Sequence, residues 1–232
     1  MSATPLPARR AFLGLVAAAP VALAACTTPR GAALSPEEGV QRLLTAASQA
    51  AFARLIQPGG FYDDQLTRLA LPAPGEGRGG AVLAAVLRTE AVQRRLAIAV
   101  NDIAVDAADR AAPIVFDSIR RMSFADALSI LRGGPTAATD LLRRETGGAL
   151  VDAMFPEVTA GLRGDAFEVL TAALAAQSGF DVRALADTVS RQASQSIFGA
   201  IGREEAAIRA DPRRTRDPLL IALLAGGAAI SR

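Results

Sequence analysis

The side chains that could do chemistry in this 232-residue chain are few: carboxylates, hydroxyls, arginines, one tyrosine and one cysteine. There is no histidine and no lysine, which excludes an imidazole general base, a Ser-His-Asp triad and a histidine metal ligand. One cysteine excludes an intramolecular disulfide and a cysteine-cluster metal site. The residue types therefore predict no cofactor and no metal site, and we expect a protein that is not an enzyme.

The most suggestive polar group is Tyr62, followed by Asp63 and Asp64, in a segment rich in glycine and proline. Two acids beside a tyrosine could form a sugar or cation site, although two carboxylates fall short of the ligand number of a calcium loop. The alternative, which we favour, is a turn whose aspartate side chains accept hydrogen bonds from backbone N–H groups.

A second set of acids, Asp102, Asp106 and Asp109, has helical spacing and falls on one face of a predicted helix. Such a face could supply an acid and a base for glycan hydrolysis. Arg110 lies four residues after Asp106, which is the spacing of an exposed ion pair on a helix. We therefore predict a solvated, charged face.

A basic cluster, Arg213, Arg214 and Arg216, follows the last long predicted helix. Arginine pairs bidentately with phosphate, so this cluster is a candidate contact for lipid headgroups near a membrane. The alternative, which the sequence favours, is pairing with the nearby acids Glu204, Glu205, Asp211 and Asp217.

The first 25 residues have the three parts of an export signal: a charged start, a mildly apolar run and a small-residue end. Arg9 and Arg10, followed by Phe12 and Leu13, resemble the twin-arginine signal; a general secretory signal is the alternative. The apolar run is too short to span a membrane.

The end of this signal, Leu23-Ala24-Ala25-Cys26, resembles the bacterial lipobox. There the peptidase cuts between Ala25 and Cys26, and the Cys26 thiol carries a diacylglyceryl group. The chain's one cysteine stands at this position, and the lipid on it would anchor the protein in a membrane. Thr27 follows, where aspartate would favour the inner membrane, so we predict the periplasmic face of the outer membrane.

The mature chain from Cys26 onward is electrically balanced. The whole chain has a net charge of +2, which comes from Arg9 and Arg10, and 23 arginines and 23 acidic residues remain after cleavage. This balance gives no support for a nucleic-acid partner. The predicted partners are the membrane, through the lipid on Cys26, and an envelope protein or a lipid.

The elements that must position these residues are predicted to be helices, because apolar residues recur at helical spacing and β-branched residues are sparse. Ser35 and Pro36 start the first helix, which should stop before Pro58. We predict an all-α, single-domain bundle of about seven to nine helices with one long irregular segment, 57–80.

Smaller signals predict where the other helices begin and end. Ser123 and Pro135 are expected to start helices, whereas Pro113 and the pair Gly147-Gly148 are expected to kink or break them. The longest helix is predicted at 181–210, with one apolar stripe.

The chain divides into four predicted parts. Residues 1–25 are the signal peptide, 26–34 a lipidated tether, 35–220 the all-α domain and 221–232 an apolar C-terminal tail. The apolar run at 218–230 is too short to span a bilayer, so it either docks on the domain or lies at the membrane.

Several motifs together resemble a known family. They are FYDD at 61–64, LALP at 69–72, AAPIVFDSI at 111–119, MSFADALSIL at 122–131, AAT at 137–139 and EEAAIRADP at 204–212. Their order resembles the bacterial domain-of-unknown-function family 4197, over about residues 35–220. The resemblance implies an all-helical exported protein, often a lipoprotein, and supplies no reaction and no catalytic residues.

Three functions remain open from the sequence. The leading one is a non-enzymatic envelope lipoprotein, a helical binding or scaffold module facing the periplasm. The alternative is a carrier of an apolar or lipid ligand, held between alanine-rich helices with segment 57–80 as a lid. The third is a carboxylate-dependent glycan hydrolase using Asp63, Asp64 and Asp102.

Overall fold

The apolar side chains recur every three to four residues, and the chain accordingly folds into helices. The structure, a computed structural model, describes residues 35–71, 81, 84, 85, 88–165, 167 and 181–230. Within these residues there is no strand, and there are a 3₁₀ helix, Pro212–Thr215, and six α-helices. The α-helices are α1 (Pro36–Leu55), α2 (Glu90–Arg121), α3 (Ala127–Arg132), α4 (Ala137–Gly161), α5 (Val182–Ala210) and α6 (Pro218–Ile230).

The all-α class is confirmed, but the described residues contain six α-helices rather than seven to nine. Pro113 lies inside α2 and the pair Gly147-Gly148 lies inside α4, so the predicted kinks or breaks do not divide these helices, and Pro156 also lies inside α4. A proline inside a helix costs about 3 kcal/mol. Buried side chains stand on both sides of each proline, Ala111 and Val115 in α2 and Met154 and Val158 in α4. Their burial holds each helix continuous, because tertiary packing supplies most of the stability of a helix in a protein.

The ends of the helices follow the sequence signals in part. Ser35 caps α1 as predicted, since its Oγ accepts a hydrogen bond from the backbone N–H of Glu38 at 3.1 Å, and α1 ends before Pro58. The prediction that Ser123 starts a helix is wrong, because α3 begins at Ala127. The backbone N–H of Phe124 instead donates to Oε1 of Glu37 at 3.3 Å, which ties the preceding turn to the start of α1.

The core is formed where α4 packs on α5, α1 on α5 and α2 on α4. The predicted apolar stripe of α5 is buried from Val189 to Ile208, although α5 with 29 residues is shorter than α2 with 32. Small side chains let the helix backbones approach closely, and the fully buried alanines are Ala47, Ala51, Ala104, Ala107, Ala108, Ala111, Ala138, Ala186 and Ala193.

The apolar run near the end of the sequence forms α6, and its start docks on the bundle. Leu220 is buried, and Gly39 in α1 leaves space for Leu223, because a Cβ at Gly39 would collide with that side chain. Among the described residues, no helix combines the length and the apolar character needed to cross a membrane.

Candidate functional site

The candidate site begins where the chain leaves α1 and turns back on itself. Gly59 has a φ of 77°, in the left-handed region where other residues are strained. Gly60 lies against the backbone carbonyls of Arg54 and Leu55, so that a side chain at this position would collide with them. The two glycines therefore permit a tight reversal that brings the following residues beside the C-terminal end of α1.

A buried asparagine then fixes this segment to α2. The side chain of Asn101 accepts a hydrogen bond from the backbone N–H of Leu69 at 2.9 Å and donates to the carbonyl of Leu69 at 3.3 Å. Phe61 and Leu69 are buried, so the first half of the irregular segment packs on the body, whereas Leu66 is 70% exposed. The segment is therefore held on the bundle by hydrogen bonds between Asn101 and the backbone of Leu69 and by burial of the Phe61 and Leu69 side chains.

Asp64 combines a local and a long-range contact. Its Oδ1 accepts a hydrogen bond from the backbone N–H of Leu66 at 2.9 Å, the aspartate turn favoured from the sequence. Its Oδ2 lies 3.4 Å from a guanidinium nitrogen of Arg203 on α5. Asp63 is exposed beside it, and the carboxylate of Asp63 faces Gly59, where a Cβ would collide with it. Asp64 is thus a structural link between the segment and α5.

These residues line a polar cleft between the end of α1, the following segment and α5, with a volume of about 630 Å³. Two ion pairs border it: Arg54 with Glu204 at 2.5 Å, and Arg203 with Asp64. The side chain of Arg54 is 61% exposed and that of Glu204 is 10% exposed, so the cleft presents the guanidinium more than the carboxylate. Thr67, Ala51 and Ala200 line the cleft between the charges.

Tyr62 lies outside the lining of this cleft. The guanidinium of Arg68 stands 4.4 Å from the centre of the Tyr62 ring, and Nε of Arg68 donates to the Tyr62 carbonyl at 2.5 Å. This cation–π pair braces the segment. Of the predicted trio, the structure therefore places Asp63 and Asp64 in one cleft and turns Tyr62 toward Arg68.

The basic cluster stands on and beside the 3₁₀ helix, and Arg213, Arg214 and Arg216 are all exposed. The acids that were expected to pair with it have other partners among the described residues. Glu204 pairs with Arg54, Glu205 with Arg209, and Asp217 with Arg42 at 3.0 Å, while Asp211 accepts from the backbone N–H of Arg213. Arg214 also borders a second, smaller cleft of about 400 Å³ beside Glu204 and Ile208.

In the ion pair between Arg42 and Asp217, the pKa of each side chain differs from its ordinary value. Partial burial raises the pKa of Asp217, but hydrogen bonds from Arg42 and from the backbone N–H groups of Leu220 and Leu219 lower it, and the net pKa lies below its ordinary value of 3.8. Hydrogen bonds with Asp217 and with Glu38 raise the pKa of Arg42. Both groups are therefore held charged in the folded protein.

A buried ion pair that sequence reasoning missed joins three helices. Glu205 of α5 is fully buried and accepts from the backbone N–H groups of Ala138 (3.1 Å) and Thr139 (2.7 Å) at the start of α4. Arg209, one turn later, lies 2.7 Å from Glu205 and donates to the carbonyls of Ile130 (3.0 Å) and Leu131 (2.7 Å) at the end of α3. We call Glu205 and Arg209 the buried clasp.

The buried clasp takes the place of a local side-chain cap at the start of α4. Thr136 makes no capping hydrogen bond through its side chain, because Glu205 satisfies the N–H groups of the first turn from another helix. The available signal was a glutamate and an arginine four residues apart next to Ile208 in the apolar stripe. Three of the family motifs, residues 122–131, 137–139 and 204–212, also meet at this ion pair.

The acids on α2 remain apart from the cleft. Asp102, Asp106 and Asp109 are all exposed, as predicted, but Arg110 pairs with Glu157 of α4 at 2.5 Å rather than with Asp106. No group of three or more acidic side chains in the described part of the chain could hold a metal ion.

The predicted export and lipidation residues lie outside the described residues. They are Arg9, Arg10, Phe12, Leu13, Ala25 and Cys26.

Comparison with known proteins gives one match. A family model described as "Protein of unknown function (DUF4197)" matches residues 33–225, which confirms the resemblance drawn from the motifs. No curated protein and no solved structure matches the chain.

Proposed function

We propose a function from one premise: the chain belongs to the DUF4197 family, whose model covers residues 33–225. The proposed function is that of a lipid-anchored, non-enzymatic binding module on the periplasmic face of the outer membrane. The domain binds its envelope partner through the polar cleft between α1, the following segment and α5. The twin-arginine-like signal would export it, and the lipid on Cys26 would hold it.

The observation that carries this proposal is the lining of the cleft by two oppositely charged pairs, Arg54–Glu204 and Arg203–Asp64. Asp64 and Glu204 each have a cationic partner, and Asp63 is the one lining carboxylate that forms no ion pair with a described residue, so the cleft offers charge and hydrogen-bond complementarity rather than a matched acid and base. Arg54 and Arg203 line the cleft, and arginine is enriched where proteins bind one another. An acidic or polar side chain of a partner suits such a surface.

The other two functions receive less support. The charged lining of this cleft does not suit an apolar ligand, which pockets bind with mostly apolar walls. For a hydrolase, Asp64 is committed to a turn and an ion pair, and Asp102 is exposed on α2 outside the lining of the cleft. The three carboxylates named from the sequence therefore do not line one site together.

Site-directed photocrosslinking in intact envelopes tests the binding role. A crosslinking amino acid replaces Asp63 at the edge of the cleft or, as a matched control, the exposed Asp102 on α2. We expect a discrete adduct with one envelope protein from position 63 and none from position 102. Adducts that are absent from position 63, or identical from both positions, would contradict the proposal.

Metabolic labelling tests the anchor separately. We expect radioactive palmitate to be incorporated by the wild-type chain and not by Cys26→Ala, because that thiol is the proposed acceptor and the chain has no other cysteine. Equal labelling of both chains would show that the lipid is attached at another residue. If neither chain were labelled, the proposed lipid anchor would be refuted.

A further inference from the structure

One end of the bundle joins the start of α1 to the 3₁₀ helix and the start of α6. Arg42 of α1 donates to Asp217 at 3.0 Å, between the 3₁₀ helix and α6. The other carboxylate oxygen of Asp217 accepts from the backbone N–H groups of Leu219 (3.0 Å) and Leu220 (3.2 Å). The beginning of α6 is therefore fixed beside the beginning of α1.

The surface at this end is basic and then apolar. Arg213, Arg214 and Arg216 are exposed, and none of them forms an ion pair with a described residue. Leu219, 38% exposed, follows directly, and α6 contains no charged residue from Pro218 to Ile230. We call the three arginines and the exposed side of α6, with Leu219, Ala222 and Gly226, the basic–apolar face.

The exposed positions of α6 share one side of the helix. Leu219, Ala222 and Gly226 are spaced by three and four residues, while Leu220 on the opposite side is buried in the bundle. A helix of this kind has one side committed to its own domain and one side, apolar and uncharged, without a partner in the described structure.

We propose that the basic–apolar face lies on the phospholipid surface that anchors the chain. The three guanidinium groups would contact lipid phosphates, and the exposed side of α6 would rest at the boundary between headgroups and acyl chains. This inference rests on the proposed lipid at Cys26. Arginine matches phosphate geometry, and a basic cluster beside an apolar helix face is the combination that binds anionic membranes.

The length of the tether supports this occupant over others. Eight residues separate Cys26 from Ser35, and fully extended they span at most about 30 Å. The start of α1 must therefore stay within about that distance of the anchored lipid, and the basic–apolar face is built around the start of α1. The polar cleft lies beside the C-terminal end of this helix, whereas Arg42 and Gly39, which contact Asp217 and Leu223, lie near its start. Arg214 stands between the two, because it borders the smaller cleft that shares Glu204 with the polar cleft.

A single fluorophore on the full lipidated chain tests the inference. Because Cys26 is the only cysteine and is acylated, Leu219→Cys supplies one free thiol for an environment-sensitive label. Leu66→Cys, in the segment after the far end of α1, supplies the control label at another exposed leucine. The purified proteins are reconstituted into vesicles of phosphatidylcholine alone or mixed with phosphatidylglycerol, and flotation reports the anchor.

We expect the label at 219 to shift to the blue and to be quenched by lipid-attached quenchers in the anionic vesicles, and the label at 66 to do neither. The change Arg213→Gln/Arg214→Gln/Arg216→Gln should abolish the blue shift at 219, as should high salt, which screens exposed charges. A matched control, Arg94→Gln/Arg95→Gln/Arg144→Gln, removes equal charge from exposed arginines elsewhere and should leave the shift intact.

Each other outcome overturns the inference. Chains that float with vesicles while both labels stay in water would refute the docking and leave the anchor standing. Equal loss of the shift in both triple variants would reduce the effect to net charge. A shift at 219 that requires added envelope proteins would assign the face to a protein partner, and chains that do not float at all would refute the proposed anchor and this inference together.

Discussion

The buried clasp shows how one ion pair can organise three helices. Glu205 supplies the capping acceptor that the first turn of α4 lacks, and Arg209 supplies donors for the last carbonyls of α3. Taking a carboxylate and a guanidinium out of water is costly, and the cost is offset only when every donor and acceptor is satisfied. Here Glu205 accepts hydrogen bonds on both oxygens and Arg209 donates from all three guanidinium nitrogens, with Glu205 fully buried and the side chain of Arg209 12% exposed.

Removing one partner should therefore be far more damaging than the spacing of the pair suggests. We expect Arg209→Met to lower the free energy of unfolding by about 3–5 kcal/mol, because it leaves a buried carboxylate without its counter-charge and removes a hydrogen bond from each of two helix-end carbonyls. Urea denaturation followed by circular dichroism measures this.

The matched control is Arg191→Met, in the same helix and with the same four-residue spacing to Asp187. That pair is exposed, with side chains 63% and 41% accessible, and its loss should cost about 0–1 kcal/mol. Equal costs for the two arginines would show that the buried clasp adds nothing.

Asn101, the only asparagine of the chain, carries a second prediction. Asn101→Leu keeps the side-chain volume but leaves the backbone N–H and carbonyl of Leu69 without their partner, at a cost of about 1–3 kcal/mol. Hydrogen exchange of the Leu69 amide should accelerate. As a control, Gln93→Leu replaces an exposed amide on the same helix and should change the unfolding free energy by less than about 0.5 kcal/mol. If Gln93→Leu cost as much stability as Asn101→Leu, the hydrogen bonds between Asn101 and Leu69 would not be the cause.

The helices α2 and α4 run through residues that usually interrupt helices, and α4 allows this to be tested with two glycines. A Cβ at Gly148 would meet no atom within 4 Å, whereas a Cβ at Gly161 would lie 2.6 Å from Cγ1 of Ile103. We expect Gly148→Ala to stabilise the protein by about 0.5–1 kcal/mol, because alanine favours the helix. Gly161→Ala should destabilise it by about 1–3 kcal/mol through overpacking against α2.

Thermal unfolding of the two alanine variants measures both effects in one helix. A rise in melting temperature for Gly161→Ala, or a fall for Gly148→Ala, would contradict the packing described for α2 and α4.

The stability contributed by the contact between α1 and the start of α6 should depend on pH. The pKa of Asp217 is lower in the folded protein than its ordinary value of 3.8, so the unfolded chain takes up this proton first as the pH falls. Its contribution to stability is complete above about pH 4 and is lost as the pH falls through the folded-state pKa. Asp217→Asn keeps an acceptor for the N–H groups of α6 but removes the charge.

We therefore expect the difference in unfolding free energy between wild type and Asp217→Asn to be constant at neutral pH and to shrink below about pH 4. Denaturation at a series of pH values measures it, and Arg42→Gln should reduce the same pH-dependent difference, because Arg42 is one of the groups that lower the pKa of Asp217. A difference in unfolding free energy that grows as the pH falls would contradict a lowered pKa for Asp217.

Local sequence signals predicted the parts of the fold that depend on neighbours in the chain. Ser35 and Pro58 bounded α1, and the stripe ending at Ile208 gave the buried side of α5, because caps and helical spacing act within a few residues. Contacts between distant residues were not predictable in this way. The partner of Glu205 at Thr139 lies 66 positions away, and the partner of Asn101 at Leu69 lies 32 positions away.

The candidate site divides in the same manner. Asp64 was recognised from its composition and its turn, whereas Arg54, Arg203 and Glu204 join it only because α1 and α5 pack side by side. No spacing within the sequence relates these arginines to Asp64. The cluster Arg213, Arg214 and Arg216 was recognised as basic from the sequence. That these arginines form no ion pair with a described residue could not be predicted, because the nearby acids pair with Arg42, Arg54 and Arg209 instead.

A prediction for the whole molecule follows from placing the proposed anchor, the basic–apolar face and the cleft along one helix. Once the lipid is inserted, docking of the face is an event within one tethered molecule, and its probability depends on tether length only weakly. Doubling the tether with a Gly/Ser insert after Arg30 costs about 0.6 kcal/mol, roughly a threefold change in the docking equilibrium. The label at Leu219→Cys should therefore stay largely in the membrane after the insertion, whereas it leaves when the three arginines are replaced. Release of the label by the insertion alone would mean that the tether, rather than the chemistry of the face, holds the domain against the lipid.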